Sequence, residues 1–248
     1  MAQVGNILDM LFEQMPQELA EDYDNVGLLA GSRKSEVRTV LCALDLNIRV
    51  VEEAVRLGAE LIVTHHPILF RGRKNLCEDD PEGAMLVKLV RERIALIAMH
   101  TNFDSAENGV NDALAEKLGL SNVTALESGM RIGDIEKTKL ASLAGDVEDK
   151  LGGVVRRYGE CDRPVCRVAV MGGSGGSHGS IALANGADVF VTGEVGYHSA
   201  LDMYDRGMCV LEAGHAATEL PAMKLLADKL KKLDAGLCIH ISAAETFR

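Results

Sequence analysis

The strongest constraint on the fold is a rhythm that occurs twice. LGAELIVTHH (57–66) and NGADVFVTGE (185–194) align at an offset of 128 residues. In each, a glycine precedes an apolar run of strand length that stops at polar residues. Such a run, preceded by an amphipathic helix, is the signature of a β-α-β unit, in which a buried strand pairs in parallel with its neighbour under the crossing helix. The same offset carries Asp45, just past the apolar run TVLCALDLN (39–47), onto Gly173. RERIALIAMHTNFD (91–104) resembles DRGMCVLEAGHAATE (205–219), each containing a His-x-x-x-acid pair: His100 with Asp104, and His215 with Glu219. The reading is an α/β protein of two related lobes with mostly parallel strands, facing one another, residues 1–125 and 126–248, the C-terminal helix being free to cross back to the first.

The intervening elements follow from periodicity. Helices are predicted over 3–15, 50–58, 81–94, 107–119, 178–186, 197–206 and 219–232. Strands are predicted over 39–47, 59–66, 94–100, 166–173, 187–193 and 208–215. Pro16 and Gly58 mark helix ends, Pro81 a helix start and Gly119 a C-terminal stop. Residues 121–162 show no clear pattern.

With 248 residues the chain can bury a large core, and with no Trp and 4% aromatics that core is aliphatic. The net charge of −11 disfavours a nucleic-acid partner, which would need a basic face. No basic leader and no uncharged membrane-length stretch is present, so a cytoplasmic protein with no membrane partner is expected. The six cysteines form no CxxC pair and read as reduced thiols, mostly in the core; Cys161 and Cys166 read as inert.

In parallel α/β sheets ligands bind beyond the carboxyl ends of the strands, and the histidines and acids of this chain gather there. His65 and His66 follow LIVT, Asp104 follows ALIAMHTNF, and His215 with Glu219 follow VLEAG. Adjacent residues in a strand point to opposite faces, but Pro67 stops His66 from entering a helix, so both rings can address one mouth and bind different ions. His215 and Glu219, four apart, share a face if a helix begins near 216. Imidazole plus carboxylate suits Zn, Mn or Fe. The metal ligands are therefore expected to be His65, His66, Asp104, His215 and Glu219. His100 is expected to orient a ligand, and Glu194 to act as a general acid or base. His198 is a further neighbour of the site, whereas His178 and His240 read as buried core residues. GGSGGS (172–177) fits either a tight turn beside the metal site or an anion cradle of backbone amides, and lacks the Lys-Ser/Thr ending of a P-loop.

Six segments, DYDNVGLLAG (22–31), GAELIVTHHP (58–67), HTNFD (100–104), VAVMGGSGG (168–176), GADVFVTGE (186–194) and GHAATE (214–219), together closely resemble the Nif-three-like dinuclear metal-centre family. Its members are often described as GTP cyclohydrolase 1 type 2 homologs. The resemblance spans essentially the whole chain. It implies two α/β lobes with a dinuclear site in the cleft between them, the same five ligands, and a ring-like homohexamer. Tyr23 stands where the family often has Trp, which reads as a packing change, and the chain is too short for the extra central domain of longer members.

The function expected is metal-dependent hydrolysis by two divalent ions per subunit, acting on a nucleotide, the ring of GTP or a phosphoester. The alternatives are a non-catalytic metal-binding or regulatory ring that serves as an interaction platform, and a plain nucleotide-binding module built on GGSGGS.

Overall fold

The computed structural model describes residues 2–244. The chain divides into two compact units. Among the described residues one comprises 2–107 together with 223–244, and the other is Asn108–Ala222. The division falls near residue 107 and not near 125, because helix Val110–Leu118 buries Leu114, Ala115 and Leu118 against Leu143, Val168 and Leu211 of the second unit. Strand Cys238–Ile241 pairs with Thr39–Ala43, which anchors the C-terminal segment in the first unit.

The first unit is built on a five-stranded sheet in the order Cys238–Ile241, Thr39–Ala43, Leu61–Thr64, Ala95–Ala98, Gly27–Ala30. The first four strands are parallel and the last is antiparallel. Its core packs Leu41, Ile62 and Leu96 of the sheet on Val50, Val51 and Ala54 of helix Ile48–Leu57 and on Leu89 of helix Pro81–Glu92. The Asn47 side chain caps the former helix by accepting from the backbone N–H groups of Arg49 and Val50, and Asp80 caps the latter through Gly83.

The second unit has a six-stranded sheet ordered Ser121–Ala125, Arg131–Lys139, Pro164–Met171, Val189–Thr192, Cys209–Glu212, Arg156–Tyr158. Only the three strands from Pro164–Met171 to Cys209–Glu212 run parallel; the other three pair antiparallel, so this sheet is mixed rather than mostly parallel. The segment without a sequence pattern supplies those antiparallel strands and helix Leu140–Leu151. Its periodicity is weak for a physical reason. Ser121–Ala125 is exposed throughout, and Arg131–Lys139 is buried only over its first three residues. One of those three is Arg131, which reaches Asp112 with Nε at 2.6 Å and Nη2 at 2.8 Å.

The internal repeat holds to the level of single hydrogen bonds. Leu61–Thr64 and Val189–Thr192 are each four residues long and 128 apart. Gly58 and Gly186 adopt left-handed φ values of 64° and 73°, which let a helix turn directly into the strand. The Glu60 carboxylate accepts from the backbone N–H of Arg38 and Thr39, at 3.1 and 2.9 Å. Asp188, at the matching position, accepts from Cys166 and Arg167 at 2.8 and 2.9 Å. Each acid covers backbone donors at the start of the neighbouring strand. Burial pushes the Asp188 carboxyl up, but these two bonds, together with the Cys166 thiol and the charge of Arg163, outweigh it and hold the group below the usual range.

Several expectations change. The helix expected over 219–232 begins at Pro221 and is preceded by a separate short helix, His215–Glu219. A second short helix, Thr101–Ser105, has no period long enough to read in the sequence. His178 and His240 are only half-buried and are not core residues. Cys42 and Cys209 alone among the thiols are buried; Cys77, Cys161, Cys166 and Cys238 are exposed. No described helix is long and apolar enough to cross a membrane.

Two outcomes follow from these contacts. Asp188→Ala should lower the unfolding free energy in urea by about 1–3 kcal/mol, since two backbone donors lose their acceptor; an unchanged midpoint would mean water replaces the carboxylate at no cost. Because the folded-state value lies below the unfolded one, the Asp188 contribution is complete above about pH 5 and is lost as the pH falls through the folded value. In the native chain a thiol reagent should modify Cys77, Cys161 and Cys238 rapidly. Cys166, whose thiol is pushed up by the neighbouring Asp188 carboxylate, should react more slowly. Cys42, pushed up to about 12 by burial, and Cys209, also raised by burial, should react only after unfolding.

Candidate metal centre

In the first unit three imidazoles gather beyond the carboxyl ends of the central strands. His65 follows Leu61–Thr64 and is fully buried. Its Nδ1 lies 2.8 Å from the carbonyl oxygen of Met99. A carbonyl only accepts, so Nδ1 carries the proton and Nε2 presents its lone pair. That Nε2 lies 3.6 Å from Asp104 Oδ1. His66 places Nδ1 2.8 Å from Asp45 Oδ1, and His100 places Nδ1 2.8 Å from Asp24 Oδ1. Carboxylates are acceptors too, so these rings take the same tautomer. Ring centroids stand 4.8 Å apart for His65 and His66, 5.1 Å for His65 and His100, and 5.4 Å for His66 and His100. The ligand atoms of the three lie within 4.8 Å of one another, so this cluster can hold a metal ion.

Asp24 is the residue that sequence reasoning missed. It comes from the loop ahead of Gly27–Ala30, and its side chain is fully buried. It accepts from His100, from the Thr101 hydroxyl and from the Thr101 N–H. Burial pushes its carboxyl up, but these bonds outweigh burial and hold it well below the usual carboxylate range. A partner 76 residues distant leaves no local signal. Asp45 was visible only as a position in the repeat.

The second unit builds its cluster differently. His215 and Glu219 occupy the ends of helix His215–Glu219, with His215 Nε2 3.2 Å from Glu219 Oε1. His215 Nδ1 lies 3.2 Å from Glu194 Oε1, and the Ser174 hydroxyl donates to Glu194 Oε2 at 2.6 Å. The Glu194 carboxyl is held below its ordinary value first by the Ser174 hydroxyl, against partial burial, and then by His215. Glu219 is buried. Glycines permit this approach. A Cβ on Gly173, whose φ is +60°, would lie 2.3 Å from Glu219 Oε1, and one on Gly193 would lie 2.5 Å from the Gly173 carbonyl and 2.8 Å from His215 Cα.

The same cluster engages GGSGGS. The N–H of Gly172 donates to Asn111 Oδ1, that of Gly173 to Thr218 Oγ1, and that of Gly176 to the Glu194 carbonyl. Three of the six amides are thus committed to the fold, and they hold the loop as a tight turn against the cluster. His198 is exposed and lies against Tyr197.

The structure also corrects the pairing of the halves. Ala95–Ala98 matches Cys209–Glu212 and Thr101–Ser105 matches His215–Glu219, both at an offset of 114. The backbone bond from Met99 N to Thr64 O recurs as Ala213 N to Thr192 O. His100 is thus equivalent to Gly214, and Asp104 to Thr218. The two His-x-x-x-acid pairs are one residue out of register and are not two versions of one device. Accordingly Asp104 approaches His65 while His100 turns to Asp24. By contrast His65 and His66 do correspond to Gly193 and Glu194.

The model of the Duf34/NIF3 family (NGG1p interacting factor 3) matches residues 2–246. The chain is 33% identical to the GTP cyclohydrolase 1 type 2 homolog of Clostridium perfringens over 250 residues, covering 96% of this chain and 95% of that one. It is 37% identical to that of Streptococcus pneumoniae over 211 residues, covering 81% and 80%. Among solved structures, a Bacillus cereus protein related to NIF3 superposes with a TM-score of 0.94 at 26% identity, over 99% of this chain and 98% of that one. Reduced HcgD from Methanocaldococcus jannaschii superposes with a TM-score of 0.82 at 26% identity, over 96% and 97%. Matched along nearly its whole length by the family model and by relatives above 30% identity, the chain belongs to the Duf34/NIF3 family.

Proposed function

We propose that the chain is a metal-dependent hydrolase that uses two divalent ions, Zn, Mn or Fe, on a nucleotide, the ring of GTP or a phosphoester. The ligands in this proposal are His65, His66 and Asp104 of the first unit with His215 and Glu219 of the second. One observation carries it. Each of His65, His66, His100 and His215 has Nδ1 against an oxygen acceptor, the arrangement that fixes an imidazole with Nε2 ready for a cation. Four imidazoles oriented alike are hard to explain as packing. The nitrogen and carboxylate donors match borderline transition metals better than Mg or Ca. Five donors are too many for one tetrahedral ion, and two ions with open positions use them fully.

Two such ions, when bound, lower the pKa of water and neutralise charge on a leaving oxygen. The residues do the rest. Asp24 keeps its charge and holds His100 Nδ1–H, which presents the His100 Nε2 lone pair for orienting a ligand of the centre. Asp45 and Glu194 hold His66 and His215 at the angle a ligand needs. Glu194, named from sequence as an acid or base, has both oxygens engaged and serves in this proposal as a positioning group for His215. The family resemblance adds a cytoplasmic, ring-like homohexamer to the proposal.

Protein purified without chelator should carry close to two transition-metal equivalents per chain; fewer than about half an equivalent counts against the centre. Loaded with Mn, Zn or Fe, it should hydrolyse members of a GTP and phosphoester panel, and a His65→Ala, His66→Ala double variant should lose that turnover. Retained metal with no turnover on any substrate would favour the non-catalytic ring instead. Glu194→Ala should weaken metal retention in a chelator competition by about 10–100-fold, and Glu194→Asp should recover part of it. Equal retention in all three proteins would remove Glu194 from the positioning role.

A further inference from the structure

Among the described residues few aromatic side chains are exposed, and two of them form a pair that reaches the imidazole cluster through Phe70. Tyr23 is 64% exposed and Phe70 43% exposed. This overturns the reading of Tyr23 as a packing residue, since an exposed ring packs no core. The two rings meet edge to face with centroids 6.1 Å apart, and Phe70 lies 6.1 Å from the His100 ring. They are held there by neighbours. Three consecutive residues each make a different tie: Tyr23 meets Phe70, Asp24 binds His100, and Asn25 donates from Nδ2 to the Leu69 carbonyl at 2.7 Å. The Asn25 bond joins the loop that carries Tyr23 to the loop that carries Phe70. Burying these rings would have been the cheaper use of them, because an exposed aromatic forgoes the stabilisation of its large apolar surface.

The surrounding charge adds a second observation. The chain has a net charge of −11, yet RGRK (71–74) places three cations directly after Phe70. Arg73 is engaged by Asp80 and Glu82, whereas Arg71 is exposed. An aromatic pair followed by a cation suits a ligand with a flat ring at one end and a phosphate at the other.

We propose that Tyr23 and Phe70 form a stacking subsite for the planar base of a nucleotide, with Arg71 meeting its phosphate. The subsite rests on the hydrolase reading and narrows it, selecting nucleotides over simple phosphoesters. Stacking accepts any flat heterocycle, so the assignment is to the class and not to one base. Tyr23 also offers a hydroxyl. Partial burial and the charges of Glu21, Asp24 and Asp104 push its phenol up, so it remains a neutral donor.

GMP and ribose 5-phosphate differ only in the base and isolate the effect. Titration calorimetry on the metal-loaded protein should show GMP binding at least about tenfold more tightly than ribose 5-phosphate. Tyr23→Ala and Phe70→Ala should each weaken GMP by about tenfold and leave ribose 5-phosphate unchanged, while Tyr23→Trp should keep the preference. Arg71→Ala should weaken both ligands. Equal binding of the two ligands by the unaltered protein, or full GMP affinity in both alanine variants, would overturn the subsite. So would a Tyr23→Ala protein whose oligomer size changes while its GMP affinity does not, because the rings would then serve an interface between copies. Metal content and turnover measured on the same preparations separate the two failures. Protein that holds metal and turns over substrate but ignores the base sinks the subsite alone, and protein without metal or turnover sinks the hydrolase reading.

Discussion

Everything at the first cluster depends on one buried hydrogen bond, from His65 Nδ1 to the Met99 carbonyl at 2.8 Å. An imidazole with no exposed surface loses its hydration, and a polar group so placed is tolerated only when its hydrogen bonds are remade inside the protein. The carbonyl remakes one and thereby sets which nitrogen keeps its lone pair. It also ties the end of Leu61–Thr64 to the end of Ala95–Ala98, two parallel strands whose register the backbone ladder fixes, so the ring is oriented by the frame that carries it. Asp45 with His66 and Asp24 with His100 extend the same logic to more exposed rings, with a carboxylate replacing the carbonyl.

The second unit shows what the scaffold does when that device is absent. Gly193 takes the place of His65, Glu194 that of His66, and Gly173 that of Asp45. With no side chain at Gly173 or Gly193, helix His215–Glu219 can bring Glu219 Oε1 to 2.3 Å and His215 Nε2 to 3.2 Å of the point a Cβ on Gly173 would take. The imidazoles that end a strand in one copy, His65 and His66, give way in the other to one at a helix start, His215, while each copy carries an acid on its short helix, Asp104 or Glu219. The acid at position 194 then accepts from His215, where in the first copy the residue at that position, His66, donates to an acid. Donor and acceptor have exchanged places on a common backbone.

This exchange explains which parts of the structure were legible in the sequence. The central strands and their crossing helices could be read because burial on both faces leaves long apolar runs, and the offset of 128 repeats them. Residues that end such runs, His65, His66 and Glu194, were found for the same reason. Ser121–Ala125 and the outer half of Arg131–Lys139 lie in the open, so no periodicity marks them. Asp24 was invisible because its partner comes from a distant loop, and Ser174 because a hydroxyl in a glycine turn looks like any other turn residue.

The one misalignment is the most instructive. Matching by chemistry sets His100 against His215, since both start a His-x-x-x-acid pattern. Matching by backbone sets His100 against Gly214, since ALIA (95–98) and CVLE (209–212) are the strands in register and the amide bonds beyond them recur. The backbone is the sounder guide, because parallel pairing fixes strand positions cooperatively whereas a side chain changes with one substitution. Side-chain patterns located the chemistry in each unit; only the strand register shows that the two units reached it by different routes. The first unit sets His65 and His66 from a strand end where the second carries Gly193 and Glu194, so equivalent chemistry here need not mean equivalent positions.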